Sequence, residues 1–385
     1  MNNEFVLQGL QIYTDQAILT NAHIKIDNGI IQELSDSKIS KTTKVQEFPA
    51  NWHLVPGFID MHIHGCKGAD IMDATPQALD TICHALLSEG VTAFLATTMT
   101  APAPKIEQAL TTVAEYIRKP KNSHGAEILG INLEGPFLSA EKKGAQDAAC
   151  LRLPNVDLFT HWQQLAHGLI KIATIAPELS GSIELIRYLV EQQIIAACGH
   201  SNATYEQATA AMKAGCKHAT HLFNAMRSIH QREPGLVTAA LLNNSVTTEL
   251  IADGFHLHPA ILELVLRLKE VNNIILITDA MRAKQLADGN YDLGGQKVIV
   301  QAGQAKLADG TIAGSTLTMD TAIRNMLDFT GCSLMDGIKM AAVNPAKKLG
   351  IFQHKGSITI GKDADLVVLD ENLQIRQVIC KGKIA

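Results

Sequence analysis

Residues 56–65 read PGFIDMHIHG, a short apolar run that carries two histidines around one isoleucine. In an extended strand, side chains at positions i and i+2 face the same side, so His62 and His64 can reach one ion. Eight segments in the middle of the chain are predicted as strands: six short apolar runs, together with residues 58–62 and 217–221, which bring the number to eight. They cover residues 58–62, 91–96, 128–133, 170–176, 194–198, 217–221, 249–252 and 274–278.

Amphipathic stretches separate these runs. One begins at Thr75, a helix cap that precedes Pro76, and stops at Gly90, and another over residues 204–214 stops at Gly215. Strands that alternate with helices predict a parallel sheet, and eight of them predict an α/β fold of the (β/α)8, TIM-barrel type. In such barrels the chemistry lies at the carboxyl ends of the strands. A hairpin is predicted after the last barrel strand, over residues 290–315.

Both ends of the chain are rich in short strands. The alternating AHIKI of residues 22–26 precedes a DNG turn, and GSITIG (356–361) and ADLVVL (364–369) lie near the other end. We therefore predict that residues 1–55 and 345–385 together form one small β-sandwich domain. Residues 56–344 would form the barrel.

The composition is that of a globular chain: 46% of the 385 residues are hydrophobic, 18% are charged and the formal net charge is -5. It lacks the basic footprint of a nucleic-acid binder, and no apolar stretch reaches the roughly 18 residues that span a bilayer. The first residues do not resemble a signal peptide, so we expect a cytoplasmic protein without a nucleic-acid or membrane partner. Seven scattered cysteines indicate reduced, packed thiols, although Cys66 beside the histidine pair keeps a ligand role as an alternative.

Six side chains with metal-binding chemistry follow or end the predicted strands. They are His62, His64, Glu134, His200, His221 and Asp279. Imidazole nitrogen and carboxylate oxygen suit zinc, iron, manganese or cobalt, and a bound ion lowers the pKa of a water from about 15.7 towards 7. Each residue alone has a structural alternative, such as a helix N-cap for Asp279. Together they predict a hydrolytic site with one or two divalent ions, zinc foremost.

The other histidines divide into two groups. His256 follows ADGF (252–255) at another predicted strand end, so it is expected to face the same mouth and contact the substrate. The rest, among them His124 and His218, lack a comparable context and are interpreted as structural.

The motifs of this chain resemble, nearly from end to end, the N-acetylglucosamine-6-phosphate deacetylase family of the amidohydrolase superfamily. They are PGFIDMHIHG (56–65), LEGPF (133–137), GHSNAT (199–204), THLFNAM (220–226), REPG (232–235), ADGFH (252–256), TDAMRAK (278–284), AGSTLTM (313–319) and GSITIGKDADLVVLD (356–370). The His-x-His pair alone indicates only the superfamily. LEGPF, HLFNAM and DGFH in this order are more specific.

The resemblance implies a role for each site residue in releasing acetate from N-acetyl-D-glucosamine 6-phosphate. Glu134, His200 and His221 would hold the catalytic ion. A second ion would be held by His62, His64 and Asp279, and Asp279 would also be the general acid and base. The residues implied in substrate binding are Ala145, Gln146, Asn224, Ala225, Arg232, Asp253, Gly254, Phe255, His256, Ile312, Ala313 and Gly314.

In the family, the arginine reaches the site of the neighbouring subunit, so a homodimer with Arg232 in this role is implied. Two residues depart from the family pattern: Gln146 stands where many members carry a histidine that touches the substrate carbonyl, and Gln285 stands where glycine is common. These departures leave the substrate open. N-acetylgalactosamine 6-phosphate is the main alternative, followed by a different amidohydrolase substrate and by a metal-bound protein without activity.

Overall fold

The computed structural model describes residues 4–36, 44–119 and 125–385. The first three residues and His124 lie outside this range, so the predictions for them have no structural counterpart. Eight parallel strands follow one another in chain order around a barrel. They are Phe58–Ile63, Val91–Thr97, Glu127–Glu134, Ile170–Ile175, Ile195–Cys198, His218–Ala219, Thr247–Leu250 and Ile274–Leu276.

The barrel closes between its first and eighth strands. Ile63 bridges Ala280 in parallel, and the Asp279 amide donates to the His62 carbonyl at 2.9 Å. Nearly every side chain of the eight strands is buried. Strands covered on both faces produce continuous apolar runs, which is why these runs were visible in the sequence. The predicted (β/α)8 fold is confirmed.

One helix follows each barrel strand. These helices are Pro76–Leu87, Ala103–Arg118, Val156–Leu165, Ser182–Glu191, Tyr205–Ala214, Gly235–Leu242, Pro259–Lys269 and Met319–Thr330. Three short helical segments, Leu334–Ile338, Lys339–Val343 and Asn344–Lys348, come after them. The predicted helix starts agree with this structure, since the Thr75 hydroxyl accepts from the Ala78 amide. Gly215 ends its helix at a φ of 113°, as predicted, whereas the first helix ends at Leu87, three residues before Gly90.

Strands from both chain ends build two further sheets. The first contains Ile30–Ser35, His23–Asp27, Phe5–Gln8 and Lys44–Glu47, and the second contains Lys383–Ile384, Ile375–Cys380, Leu366–Leu369, His53–Pro56, Gln11–Tyr13 and Ile18–Leu19. Leu7 and Ile24 of the first sheet and Leu54 and Val368 of the second belong to one apolar cluster. The domain limits at 55/56 and 344/345 stay predictions, because His53–Pro56 leads almost directly into the barrel.

Three predicted elements differ from the structure. Residues 356–361 form no strand, because Gly356 and Gly361, with φ of 85° and 88°, turn the chain away from pairing. The excursion after the last barrel strand has three strands, Gly289–Leu293, Gln296–Gln301 and Gln304–Lys306, since a turn at Gly303 adds one to the expected hairpin. The sixth barrel strand is short and ends two residues before His221.

Small elements complete the described chain. A pair of short strands, Gly65–Cys66 and Ala69–Asp70, follows the first barrel strand. Single turns of 3-10 helix lie at Ile71–Asp73, Ala140–Lys142, Ala148–Cys150 and Val271–Asn273. Among the helices of the described residues, none has the length and apolar character to cross a bilayer.

Candidate active site

The six predicted ligands meet at the carboxyl end of the barrel. Glu134 Oε1 lies 3.2 Å from His200 Nε2 and 2.9 Å from His221 Nε2. On the other side of the cluster, His64 Nε2 lies 3.3 Å from Glu134 Oε2 and 3.2 Å from Asp279 Oδ1. All six side chains are buried, and Asp279, at 9% exposed, is the most accessible.

The cluster contains two ligand sets. The first set is His62, His64 and Asp279, and the second is Glu134, His200 and His221; in each, the potential ligand atoms lie within 4.8 Å of one another. Glu134 stands between the sets, because its Oε1 also lies 3.4 Å from His62 Nε2. Within the described part of the chain, Cys66 belongs to neither set, and burial raises the pKa of its thiol to about 12.

Three of the ligands leave their strands in left-handed backbone conformation. The φ angles are 45° at His200, 27° at His221 and 48° at Asp279. Such angles are uncommon for residues other than glycine and collect at functional sites. Hydrogen bonds hold the turn at Asp279, whose amide donates to the His62 carbonyl at 2.9 Å and whose carbonyl accepts from the Ser315 amide at 2.8 Å.

The arrangement fits a divalent cation. His62 Nε2 is buried and has no hydrogen-bond partner among the described residues, and an orphaned group of this kind costs about 1–3 kcal/mol. His200 Nε2 and His221 Nε2 lie only 3.0 Å apart and both approach Glu134 Oε1. Ring nitrogens that converge with a carboxylate in this way are what a zinc-type ion needs from its ligands.

The charges of the cluster favour a cation as well. Burial by itself lowers the pKa of His62, but the carboxylates of Glu134, Asp279 and Glu249 outweigh burial and hold this pKa well above its ordinary value. For His64, the same competition between burial and the carboxylates of Asp279 and Glu134 raises the pKa to about 9. A bound divalent ion, held by neutral imidazoles, meets this demand for positive charge.

A cavity of about 260 Å³ opens over the cluster. The predicted substrate-binding residues that line it are Ala145, Gln146, Asn224, Ala225, His256, Ile312 and Gly314. Asp253 and Phe255 line a smaller neighbouring cavity, which shares His256 with the first. Gly254, Ala313 and Arg232 line neither cavity, and Arg232 is exposed.

Two of these lining side chains are held by hydrogen bonds. His256 Nδ1 lies 2.6 Å from Asp253 Oδ2, while Asp253 Oδ1 accepts the amides of Phe255 and His256 at 2.8 Å, which leaves His256 Nε2 for a ligand. Gln146 Oε1 accepts from the Thr100 amide at 2.8 Å, and its Nε2 donates to Glu134 Oε2 at 2.9 Å. Gln146 is therefore fixed against one of the predicted metal ligands.

Sequence reasoning missed several residues of the site. Met99, Gly144, Leu293 and Thr311 also line the main cavity. Met99 lies two residues after the second barrel strand, so the strand-end criterion that selected the ligands could have found it. Leu293 and Thr311 belong to the excursion after the last strand, and no local pattern shows that this segment folds over the barrel mouth.

The comparisons with known proteins agree with this geometry. The model of the amidohydrolase family matches residues 53–385. N-acetylglucosamine-6-phosphate deacetylase of Bacillus subtilis (strain 168) is 45% identical, with 100% of this chain and 98% of the relative aligned. N-acetylgalactosamine-6-phosphate deacetylase of Escherichia coli O157:H7 is 36% identical, with 99% of each chain aligned.

A solved structure gives the same assignment. The N-acetyl-D-glucosamine-6-phosphate deacetylase of Mycobacterium smegmatis, a mutant in complex with N-acetyl-D-glucosamine-6-phosphate, superimposes with a TM-score of 0.93 at 33% identity. This superposition covers 99% of both chains. The chain therefore belongs to the amidohydrolase family and, within it, to the N-acetylglucosamine-6-phosphate deacetylases.

Proposed function

We propose that this protein hydrolyses N-acetyl-D-glucosamine 6-phosphate to D-glucosamine 6-phosphate and acetate, in amino-sugar catabolism. One observation carries the proposal: six buried histidine and carboxylate side chains meet beneath a cavity that is lined by residues implied in sugar-phosphate binding. The relatives at 45% and 33% identity named above carry this activity in their names.

A divalent ion would be held by Glu134, His200 and His221, and a second by His62, His64 and Asp279. Such an ion supplies Lewis-acid chemistry, since it polarises an amide carbonyl and lowers the pKa of a water towards about 7. Zinc is our first choice, and iron, manganese and cobalt suit the same ligands.

Asp279 moves the proton in this proposal. Its carboxylate borders the cavity and is the most accessible of the six ligands. It takes a proton from the attacking water and returns a proton to the departing amine nitrogen. Gln146 cannot carry a proton, so it contributes to the reaction only as a hydrogen-bond donor. Within the described part of the chain, the partners of its Nε2 are Glu134 and the Met99 sulfur, the latter at 3.7 Å. The amide hydrogen that faces the weakly accepting Met99 sulfur is therefore the one available to the carbonyl oxygen as negative charge develops there.

The phosphate group would be bound by Asn224, Ala225, His256 and an arginine from a second subunit. Arg232 does not reach the cavity of its own chain, and the adjacent Glu233 pairs with Arg227 at 3.7 Å. We therefore propose a homodimer in which each Arg232 enters the neighbouring cavity, where its planar guanidinium can bind a phosphate through two hydrogen bonds.

All seven cysteines are free thiols, which supports a cytoplasmic location.

Replacing Arg232 with alanine is expected to raise KM for the sugar phosphate about 10- to 150-fold while kcat changes little, because a charge-assisted hydrogen bond contributes about 1.5–3 kcal/mol. Steady-state kinetics with the phosphorylated sugar measure the effect. N-acetylglucosamine without phosphate is the matched control, and its kcat/KM should not change. An unchanged KM for the phosphorylated sugar contradicts the role of Arg232.

Acetate release from both hexosamine phosphates tests the substrate. We expect a higher kcat/KM for N-acetylglucosamine 6-phosphate than for N-acetylgalactosamine 6-phosphate, as the 45% and 36% identities to the two kinds of relative favour. The opposite ranking selects the alternative sugar. If neither sugar releases acetate, the proposed function is contradicted.

A further inference from the structure

A buried pair of side chains lies behind His62 and belongs to neither ligand set. Glu249 projects from the seventh barrel strand, and its Oε2 lies 3.1 Å from His62 Nδ1. The same oxygen accepts the backbone amide of His221 at 3.0 Å, and Oε1 lies 3.0 Å from His218 Nε2. The side chains of His62, His218 and Glu249 are all 0% exposed.

The hydrogen bonds fix the proton positions in this group. An ionised carboxylate offers acceptor atoms only, so His62 Nδ1 and His218 Nε2 both carry hydrogen and donate to Glu249. With the hydrogen of the neutral ring on Nε2, His218 Nδ1 is an acceptor for the hydroxyl of Thr247 at 2.7 Å, and this hydroxyl also lies 3.2 Å from the Lys217 carbonyl. Glu249 thus receives three donors, which is what a fully buried carboxylate requires.

The consequence for His62 lies on the opposite side of its ring. Because Glu249 holds the hydrogen on Nδ1, the proton that a cation would replace is the one on Nε2, which lies 3.4 Å from Glu134 Oε1 and 3.5 Å from Asp279 Oδ1. The neutral ring would then offer its Nε2 lone pair to the ion. This is the nitrogen that has no hydrogen-bond partner among the described residues. In the other tautomer, Nε2 would carry a hydrogen and could not bind a cation. Nδ1 would then have no hydrogen to donate to the carboxylate of Glu249.

We propose that Glu249, backed by His218, is a positioning residue that holds His62 in its cation-binding tautomer and thereby sets the affinity of the ion held by His62, His64 and Asp279. A carboxylate behind a ligating imidazole typically contributes 10- to 100-fold in metal affinity. The inference rests on the proposed role of His62 as a ligand, and it adds two residues that nothing in the sequence pattern had selected.

Glu249→Gln is the most informative variant. Glutamine keeps the shape and can still accept from His62 Nδ1 and the His221 amide, while its NH₂ group faces His218, which can adopt its other tautomer and donate to Thr247. The fold is therefore expected to survive, and the lost property is the charge that favours the His62 tautomer. Glu249→Leu removes the acceptor altogether and is expected to lower the affinity for the ion further.

Cobalt binding by the metal-free full-length protein provides the measurement. The visible absorption of bound cobalt, titrated against a chelator of known affinity, gives one dissociation constant for each ion without any substrate. His62→Ala identifies which of the two belongs to the first ligand set. Asp365→Asn is the matched control, since Asp365 is also a buried carboxylate but pairs with Lys355 in the β region, away from the barrel mouth.

We expect Glu249→Gln to raise the dissociation constant of the ion that depends on His62 by about 10- to 100-fold. The dissociation constant of the other ion should stay within about 3-fold of the wild-type value, and Asp365→Asn should change neither constant. Identical cobalt binding by the wild type and Glu249→Gln overturns the inference, as does an equal loss in Asp365→Asn. If His62→Ala removes no ion, the ligand assignment fails and the inference fails with it. None of these results depends on turnover, so an incorrect sugar assignment would leave them unchanged.

Discussion

Asp279→Asn is expected to lower kcat by about 10²- to 10⁴-fold, the range that a general acid and base contributes, with the fold and the cavity intact. Asparagine keeps the size of the side chain and one oxygen for a cation, but it cannot accept the proton of the attacking water. Burial by itself raises the pKa of Asp279, but the charges and hydrogen bond of His62 and His64 outweigh burial and lower this pKa. The carboxylate is thus ionised at neutral pH and ready to act as a base.

Two further measurements keep this prediction specific to proton transfer. The metal content of Asp279→Asn is determined alongside kcat, because Asp279 is also a proposed ligand. Asp253→Asn is the comparison variant: Asp253 is a carboxylate beside the same cavity and orients His256, so its replacement should raise KM and lower kcat less than about 10-fold. Turnover of metal-loaded Asp279→Asn at the wild-type rate would show that another group carries the proton.

The barrel could be predicted because its strands are buried on both faces and so appear as separate apolar runs. The strand ends that these runs predicted were less accurate. The run at residues 217–221 contains a strand of only two residues, His218–Ala219, and then a buried turn in which His221 has a φ of 27°. This segment reads KHATH, in which only Ala219 is apolar, so hydrophobic composition could not separate its strand from its buried turn.

The ligands could be predicted for a related reason, because all carboxyl ends of the barrel strands open on one mouth. The Glu249 group could not. A carboxylate inside the strand Thr247–Leu250 is visible in the sequence and must find a partner when it is buried. However, the partner His62 lies 187 residues away, and only the closed barrel brings the two together. The same holds for Leu293 of the excursion, which reaches the cavity from outside the barrel strands.

Removal of the divalent ion is expected to lower kcat by about 10³-fold or more, because a free water has a pKa of about 15.7 rather than about 7. The metal-free protein should also unfold at a lower temperature, since an ion present at 100 times its dissociation constant stabilises the folded state by about 2.7 kcal/mol. Dialysis against a chelator removes the ion, and elemental analysis, acetate release and thermal unfolding provide the three readouts. The control is protein dialysed against chelator saturated with metal, which should keep its metal content, its kcat and its unfolding temperature.

Stepwise return of zinc, iron, manganese or cobalt then separates the two ligand sets. If Glu134, His200 and His221 hold the ion that the chemistry requires, most of kcat should return with the first equivalent that fills this set. His200→Ala should then stay inactive at any equivalent, while His62→Ala should recover part of kcat, because His62 belongs to the other set. Full turnover by protein that elemental analysis shows to be free of metal would contradict a metal-dependent reaction. Recovery that requires two equivalents would instead show that the set of His62, His64 and Asp279 takes part in turnover.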